Sequence, residues 1–407
     1  MSHSKSANDS TQNLSHPDFL GGLSAQEFLN KYWQQQPLLL KNAFPDQINC
    51  LCAEELAGFS LEEHIESRII IEHENNQWQL LTGPFEEDTF EKLPAQKWTL
   101  LIQAIDHYVA EFAALLDQFN FIPQWRIDDL MMSYATTGGS VGPHYDYYDV
   151  FLIQVSGQRH WQIGQLCDDT TELIADLPMR IVKEFEQHQD HILIPGDVLY
   201  LPPGVAHHGT ALDDDCITLS VGFRAPSYSE IISDYGHYLA ARLSGNQRFI
   251  DGKLIARNES HNHSGLITDN DIDNLHSQIT KTLADKEALK EWFALYLSES
   301  KYSDPELMES DLGIETFQDL LANNECFQRD ESSRFVLTQT DNKWTLWING
   351  TAETIPQEIG ALGNYICSRR VLEGDTLATL ANTDPKIQWL YDLLCKGFIY
   401  RVENQHE

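Results

Sequence analysis

Between Trp125 and Arg224 the chain is cut into short segments rich in Val, Ile, Leu and Tyr, each bounded by Gly or Pro. They fall at 129–135, 143–148, 149–155, 158–163, 191–194, 197–201 and 215–224. Ser156-Gly157 supplies a tight turn between two of them. A single short strand cannot bury both its faces, so many of them with turn punctuation imply a jelly roll or similar double sheet. The expected class is α+β, with a double-stranded β-helix core and flanking helices.

Within that stretch lies Gly142-Pro143-His144-Tyr145-Asp146, and later Leu201-Pro202-Pro203-Gly204-Val205-Ala206-His207. Side chains alternate along a strand with period two, so His144 and Asp146 are expected on one face. His207 must then arrive from a distant strand, and His208 is its neighbouring alternative. Two imidazoles and one carboxylate on one side of a metal leave the opposite positions open, as in non-heme Fe(II) oxygenases. Such a centre needs a co-substrate to fill the open positions and supply electrons. A keto acid such as 2-oxoglutarate does both, and its far carboxylate needs a cation. Arg159 follows the Ser156-Gly157 turn on the strand folded back along 149–155, and its guanidinium suits bidentate anchoring. By the same alternation Asp129, Met131 and Ser133 share one face, and His144, Asp146 and Tyr148 another. If both line one cavity, Asp129 pairs with a substrate guanidinium while Met131 and Tyr148 pack along its methylenes and plane. Gly138-Gly139-Ser140-Val141-Gly142 lacks the Lys-Ser/Thr ending of a phosphate loop and is expected to be a flexible bend. No Gly-x-Ser-x-Gly elbow occurs.

Around this core, Ser24-Ala25-Gln26-Glu27 has capping-box spacing and opens a helix through Trp33. Pro37 ends that helix, and Leu38-Leu39-Leu40 is expected as a buried strand. Ile69–His73 and Trp78–Leu81, split by Asn75-Asn76, predict a hairpin. Trp98 to Phe119 carries apolar residues at helical spacing and predicts one long helix. After Pro226 helices are expected near 228–243, 269–283 and 285–298, with a polar loop at Asn246–Asp269 that holds His261-Asn262-His263. Residues from about 303 mix helices with a hairpin at Arg334–Ile348, which suggests a winged-helix-like module. The expected division is a disordered lead at 1–17, a catalytic jelly roll at 18–226, a helical region at 227–300 and the winged-helix-like module at 301–407.

Composition narrows the partners. The 407 residues hold 62 acidic and 27 basic side chains, a net charge of −35. That field repels nucleic-acid phosphates and attracts a strongly basic partner. Acidic residues also outnumber basic ones over 301–407, which argues against direct DNA binding. Seven scattered cysteines, among them Cys50 and Cys52, complete no metal site and suggest reduced thiols in a cytoplasm. The polar N-terminus has no apolar signal region, and no apolar run is long enough to span a bilayer.

Longer stretches carry a resemblance. Trp125-Arg126-Ile127-Asp128-Asp129-Leu130-Met131-Met132-Ser133, Gly142-Pro143-His144-Tyr145-Asp146 and Tyr148-Asp149-Val150-Phe151-Leu152-Ile153-Gln154 resemble the JmjC-type ribosomal oxygenases. So do Pro195-Gly196-Asp197-Val198-Leu199-Tyr200-Leu201-Pro202-Pro203-Gly204, Ser220-Val221-Gly222-Phe223-Arg224-Ala225-Pro226 and the early Tyr32-Trp33…Pro37-Leu38. The match is to the bacterial branch and spans nearly the whole chain beyond the first residues. It implies a JmjC/cupin jelly roll, a helical dimerisation region and a C-terminal winged-helix domain. It implies Fe(II) held by His144, Asp146 and His207, with Pro-Pro-Gly-x-x-His selecting His207 over His208. It further implies 2-oxoglutarate and O2 as co-substrates, the distal carboxylate held by Arg159 and Ser133, and substrate contacts from Asp129, Met131 and Tyr148. The implied reaction is C3 hydroxylation of an arginine in the sixteenth large-subunit ribosomal protein, by a cytoplasmic homodimer. A related oxygenase acting on histidine or another substrate, and a non-catalytic cupin-like metal module, are the alternatives. Asp129 favours a cationic substrate, and Arg159 has no purpose in a structural metal site.

Overall fold

The strands at the centre of the fold form two sheets that pack face to face. This computed structural model describes residues 18–44, 48, 51–74, 77–251, 266–302, 307–341 and 343–402. The expected lead at 1–17, the Asn75-Asn76 turn, Cys50 and His261-Asn262-His263 lie outside the described residues. The strands are β1 (Leu38–Leu40), β2 (Ser67–His73), β3 (Gln77–Thr82), β4 (Trp98–Ile102), β5 (Ile127–Ala135) and β6 (Val150–Ser156). They continue with β7 (Arg159–Leu166), β8 (Gln189–Leu193), β9 (Val198–Leu201), β10 (Val205–Ala211) and β11 (Cys216–Phe223). The large sheet runs β1-β9-β6-β11-β5-β4-β2-β3 and the small one β10-β7-β8, all pairs antiparallel.

The text of β6 explains the layering. A strand covered on both faces reads as a continuous apolar run rather than an alternation. Phe151, Ile153 and Val155 pack with the helices and strands of the N-terminal part, alongside Phe19, Phe28 and Phe119. Val150 and Leu152 point the other way, against Trp161, Ile163 and Leu193 of the small sheet. The turn into β9 is fixed by Asp197, a buried carboxylate that accepts from Lys41 Nζ at 2.7 Å, Asn42 N at 2.9 Å and Ile194 N at 3.0 Å.

Two expectations fail here. The stretch from Trp98 to Phe119 is not one helix. It opens as β4, paired with β2 and β5, and continues as 3-10 turns at Ile105–His107 and Leu116–Phe119 around a short α-helix, Ala110–Leu115. Ala104 at φ +51 breaks the path between strand and turn. Trp98-Thr99-Leu100-Leu101-Ile102 is an apolar run buried inside a sheet, and over five residues such a run mimics helical spacing. The segment 143–148 is not a strand either. Its one ladder contact is an isolated bridge between His144 and His207. Pro143 has no N–H to offer a ladder, and Gly142 turns the chain at φ +80.

Other elements lie close to expectation. Ser24 caps the helix Ala25–Lys31 in a full capping box, and β2 and β3 form the hairpin. Helices run at Tyr228–Arg242, Asp269–Leu283 and Lys286–Ser298. The later hairpin is Phe335–Thr340 with Lys343–Ile348, and Thr351–Ile355 adds a third strand. By compactness the chain divides into two units. One holds the residues up to Ala225 with 305–332 and 365–407; the other holds 226–304 with 333–364. The stretch expected as one module at 301–407 therefore contributes to both. Among the described residues no helix is long and apolar enough to cross a membrane.

Candidate metal centre

β10 supplies His207, which pairs with Ile163 of β7 and is 2 % exposed. The neighbouring irregular segment supplies His144 and Asp146. His144 and His207 exchange both backbone hydrogen bonds, His144 N to His207 O at 3.0 Å and His207 N to His144 O at 2.8 Å. This double bond sets the two imidazoles side by side, ring centroids 4.2 Å apart. Gly204 N donates to Asp146 O at 2.7 Å, which ties the aspartate to the turn before β10. Ligand atoms of His144, Asp146 and His207 all lie within 4.8 Å of one another, the one such cluster among the described residues. His208 points away, toward the ring of Phe185.

The donor set fits a divalent metal. Nδ1 of His144 lies 2.9 Å from Gly142 O, and Nδ1 of His207 lies 3.0 Å from Val205 O. A carbonyl only accepts, so both Nδ1 atoms carry the proton and both Nε2 atoms keep a lone pair for a metal. Asp146 Oδ2 stands 3.7 Å from His207 Nε2. That is too long for a hydrogen bond, and it suits two donors sharing an ion at roughly 2.0–2.2 Å from each. Burial, and then the nearby His144, lower the His207 pKa to about 4. The imidazole is therefore neutral, in its ligating form, at ordinary pH.

Arg159 starts β7 and is 5 % exposed. Its Nη1 lies 3.5 Å from Ser133 Oγ, and its guanidinium carbon 5.7 Å from the Trp161 ring centre. Nε and Nη2 are buried and have no hydrogen-bond partner among the described residues. An unsatisfied buried cation is costly, so this arrangement calls for an anion. Ser133 is itself buried and donates to Thr218 O at 3.3 Å.

Leu130 and Met132 of β5 belong to the main core, which leaves Asp129, Met131 and Ser133 on the opposite face. Asp129 is 4 % exposed and accepts from Gln103 Nε2 at 2.9 Å. Met131 is half-buried. Tyr148 remains 42 % exposed, and the carboxylate of Asp146, burial and the carboxylate of Asp129 hold its phenol well above the ordinary range. Tyr148 thus stands as a neutral hydroxyl between the carboxylate of the cluster and the carboxylate of β5. It gets there without the strand alternation that predicted it, because 144–148 is irregular.

Sequence reasoning missed several neighbours. Gln103, which orients Asp129, sits just past β4 in the stretch read as a helix. Trp161 packs between Arg159 and His207, its ring 5.8 Å from the latter. Gly209 makes room for it: a Cβ there would lie 2.7 Å from the indole ring. Arg180 lies beside Tyr145 and Tyr147 in a segment with no periodic signal. The two tyrosines flanking Asp146 were the available clue.

Comparison with known proteins agrees with this geometry. Residues 114–231 match the JmjC domain family and residues 281–400 the ROXA-like winged helix family. The chain is 36 % identical over 280 residues to the ribosomal protein uL16 3-hydroxylase of Escherichia coli, covering 69 % of this chain and 73 % of that protein. It is 31 % identical over 374 residues to a probable ribosomal oxygenase of Haemophilus influenzae, covering 91 % and 88 %. Among solved structures, E. coli YcfD superposes with a TM-score of 0.79 at 30 % identity, covering 94 % of this chain and 99 % of that one. YcfD in complex with cobalt and 2-oxoglutarate gives 0.76 at 30 %, with the same coverage. The jelly roll, its His-Asp-His cluster and these relatives together make the chain a member of the JmjC-domain ribosomal oxygenases.

Proposed function

We propose that this chain is an Fe(II)- and 2-oxoglutarate-dependent oxygenase that hydroxylates C3 of an arginine in the ribosomal protein uL16. The observation that carries the reading is the convergence of His144, Asp146 and His207 within 4.8 Å, both histidines presenting an unprotonated Nε2. Iron, when bound there, supplies the redox chemistry by which 2-oxoglutarate and dioxygen become succinate and carbon dioxide while a substrate C–H becomes C–OH.

The chain's own residues do the rest. His144, Asp146 and His207 would hold the metal. Arg159, with Ser133, anchors the distal carboxylate of the keto acid. Asp129, oriented by Gln103, meets the incoming guanidinium with the bidentate geometry a carboxylate offers it. Met131 and Tyr148 flank the substrate's methylenes and plane. The net charge of −35 draws a basic ribosomal protein toward the site.

We further propose a homodimer that works in the cytoplasm. On the helix Asp269–Leu283 no side chain is buried, and Ile272, Leu275, Ile279 and Leu283 line up at helical spacing with 42–52 % of their surface exposed. A second copy of the same helical region would cover that stripe. The six described cysteines are all free, which suits a reducing compartment.

The test uses uL16 and the purified enzyme with Fe(II) and 2-oxoglutarate, read by tandem mass spectrometry. The expected outcome is one added oxygen on an arginine of uL16, abolished in His144→Ala. An unmodified uL16, together with no metal-to-ligand absorption band in the anaerobic Fe(II) protein, overturns the reading.

A further inference from the structure

Two of the three proposed ligands, His144 and Asp146, sit on a segment with no regular structure. Backbone hydrogen bonds to β10 and its preceding turn fix one side of that segment. Its other side is gripped by three consecutive residues of the β7–β8 connection. Ile181 packs so tightly on Gly142 that a Cβ there would stand 2.8 Å from its Cδ1. Val182 N donates to Pro143 O at 2.8 Å. Arg180 Nη2 donates to Tyr145 Oη at 2.9 Å and to Tyr147 Oη at 2.8 Å, the two residues on either side of Asp146. The guanidinium also lies over both rings, 5.1 Å from the centre of Tyr145 and 4.7 Å from that of Tyr147.

The polarity of this cluster closes on itself. Each phenol accepts from Arg180 and donates onward, Tyr145 to Asp168 O at 2.8 Å and Tyr147 to Asp169 Oδ1 at 2.7 Å. Asp168 in turn accepts from Thr170 N at 2.8 Å, which holds the start of the connection in a fixed turn. Tyr145 is 5 % exposed and packs with Cys167, Val182 and Ala206, so one end of the clamp is anchored in the core. Tyr147 is 46 % exposed, and besides the Tyr145 ring, whose centre lies 5.4 Å from its own, Arg180 and Asp169 hold it in place.

We infer that Arg180 is a positioning residue for the metal centre: by bridging Tyr145 and Tyr147 it fixes the backbone between them and so the direction of the Asp146 carboxylate. This rests on the metal-centre reading proposed above. A carboxylate held by a regular strand needs no such brace, but a side chain on an irregular segment keeps its aim only if the segment's neighbours are held. Loss of such an outer partner costs roughly 10–100-fold in metal affinity or activity.

The experiment titrates Co(II) into the apo full-length protein and follows the visible ligand-field band, with melting of the apo form as the folding control. Arg180→Ala is expected to weaken Co(II) binding about tenfold or more and to shift the band. Apo melting should change little, since Arg180 itself is exposed and Tyr145 keeps its core packing. Arg180→Lys keeps a cation over the rings and is expected to recover part of the affinity. Tyr147→Phe removes one hydroxyl alone and is expected to lose affinity severalfold, which keeps the test open if Arg180→Ala fails to fold. Unchanged Co(II) affinity and band in folded Arg180→Ala, or in Tyr147→Phe, overturns the inference while leaving the metal centre intact. A wild-type protein that gives no band, or a band that persists in His144→Ala, overturns the metal-centre reading and this inference with it.

Discussion

Arg159 and Asp129 are both buried ionic groups, and their surroundings differ. Arg159 keeps two buried donors unmatched, whereas Asp129 is already oriented by Gln103. On the proposed reading the first meets the co-substrate and the second the peptide. Arg159→Ala should therefore raise the 2-oxoglutarate requirement more than tenfold with Fe(II) affinity nearly unchanged, since a charged hydrogen-bonding partner is worth about 1.5–3 kcal/mol. Asp129→Ala should depress peptide hydroxylation far more than 2-oxoglutarate binding. Steady-state kinetics in each substrate, with anaerobic titration of the keto acid, separates the two. Equal losses in both substrates for either variant would refute the assignment. The convergence of His144, Asp146 and His207 was legible because each belongs to a short pattern with a chemical reason. Gln103 and Arg180 were not, because a lone polar residue gains its role only from what the fold brings beside it.

At the scale of elements, the burial of β6 on both its sides follows from text that is apolar on both faces. The failures came where two periods coincide or where none applies. Trp98–Ile102 is apolar enough to satisfy a helical template, and only its pairing with β2 and β5 decides for strand. His144 and Asp146 do converge, but by a bend at Gly142 and a two-bond bridge to β10 rather than by strand alternation. β10 and β7 meet at another close approach, where Gly209 admits the Trp161 ring. Gly209→Ala should force that buried ring to move. An overpacked site of this kind costs about 1–3 kcal/mol of stability, readable as a lower urea midpoint, and the displaced indole should weaken 2-oxoglutarate binding beside it. A variant with wild-type midpoint and wild-type affinity would show the contact to be slack.

For the whole molecule, the apolar stripe on Asp269–Leu283 bears on assembly. Ile272→Asp combined with Ile279→Asp places two charges in a surface that a second copy would bury. Light scattering after size exclusion should report a monomer for this variant and a dimer for the parent, at concentrations of both that are matched. A dimer in both would move the interface elsewhere. The helices themselves were legible from their spacing, whereas the second copy that covers their outer face on the proposed reading is not written in one chain's periodicity. A final consequence comes from the division of labour along the jelly roll. Asp129 and Met131, which face the substrate on the proposed reading, lie on β5 of the large sheet, while the His-Asp-His cluster spans β10 and the irregular segment beside it. On the proposed reading recognition is thus written mainly on β5, with Tyr148 the contact that shares the segment of His144 and Asp146. Drift at two or three positions of β5 could retarget such an enzyme to a different side chain while its oxidising machinery stayed as it is, so one scaffold is open to descent into many specificities.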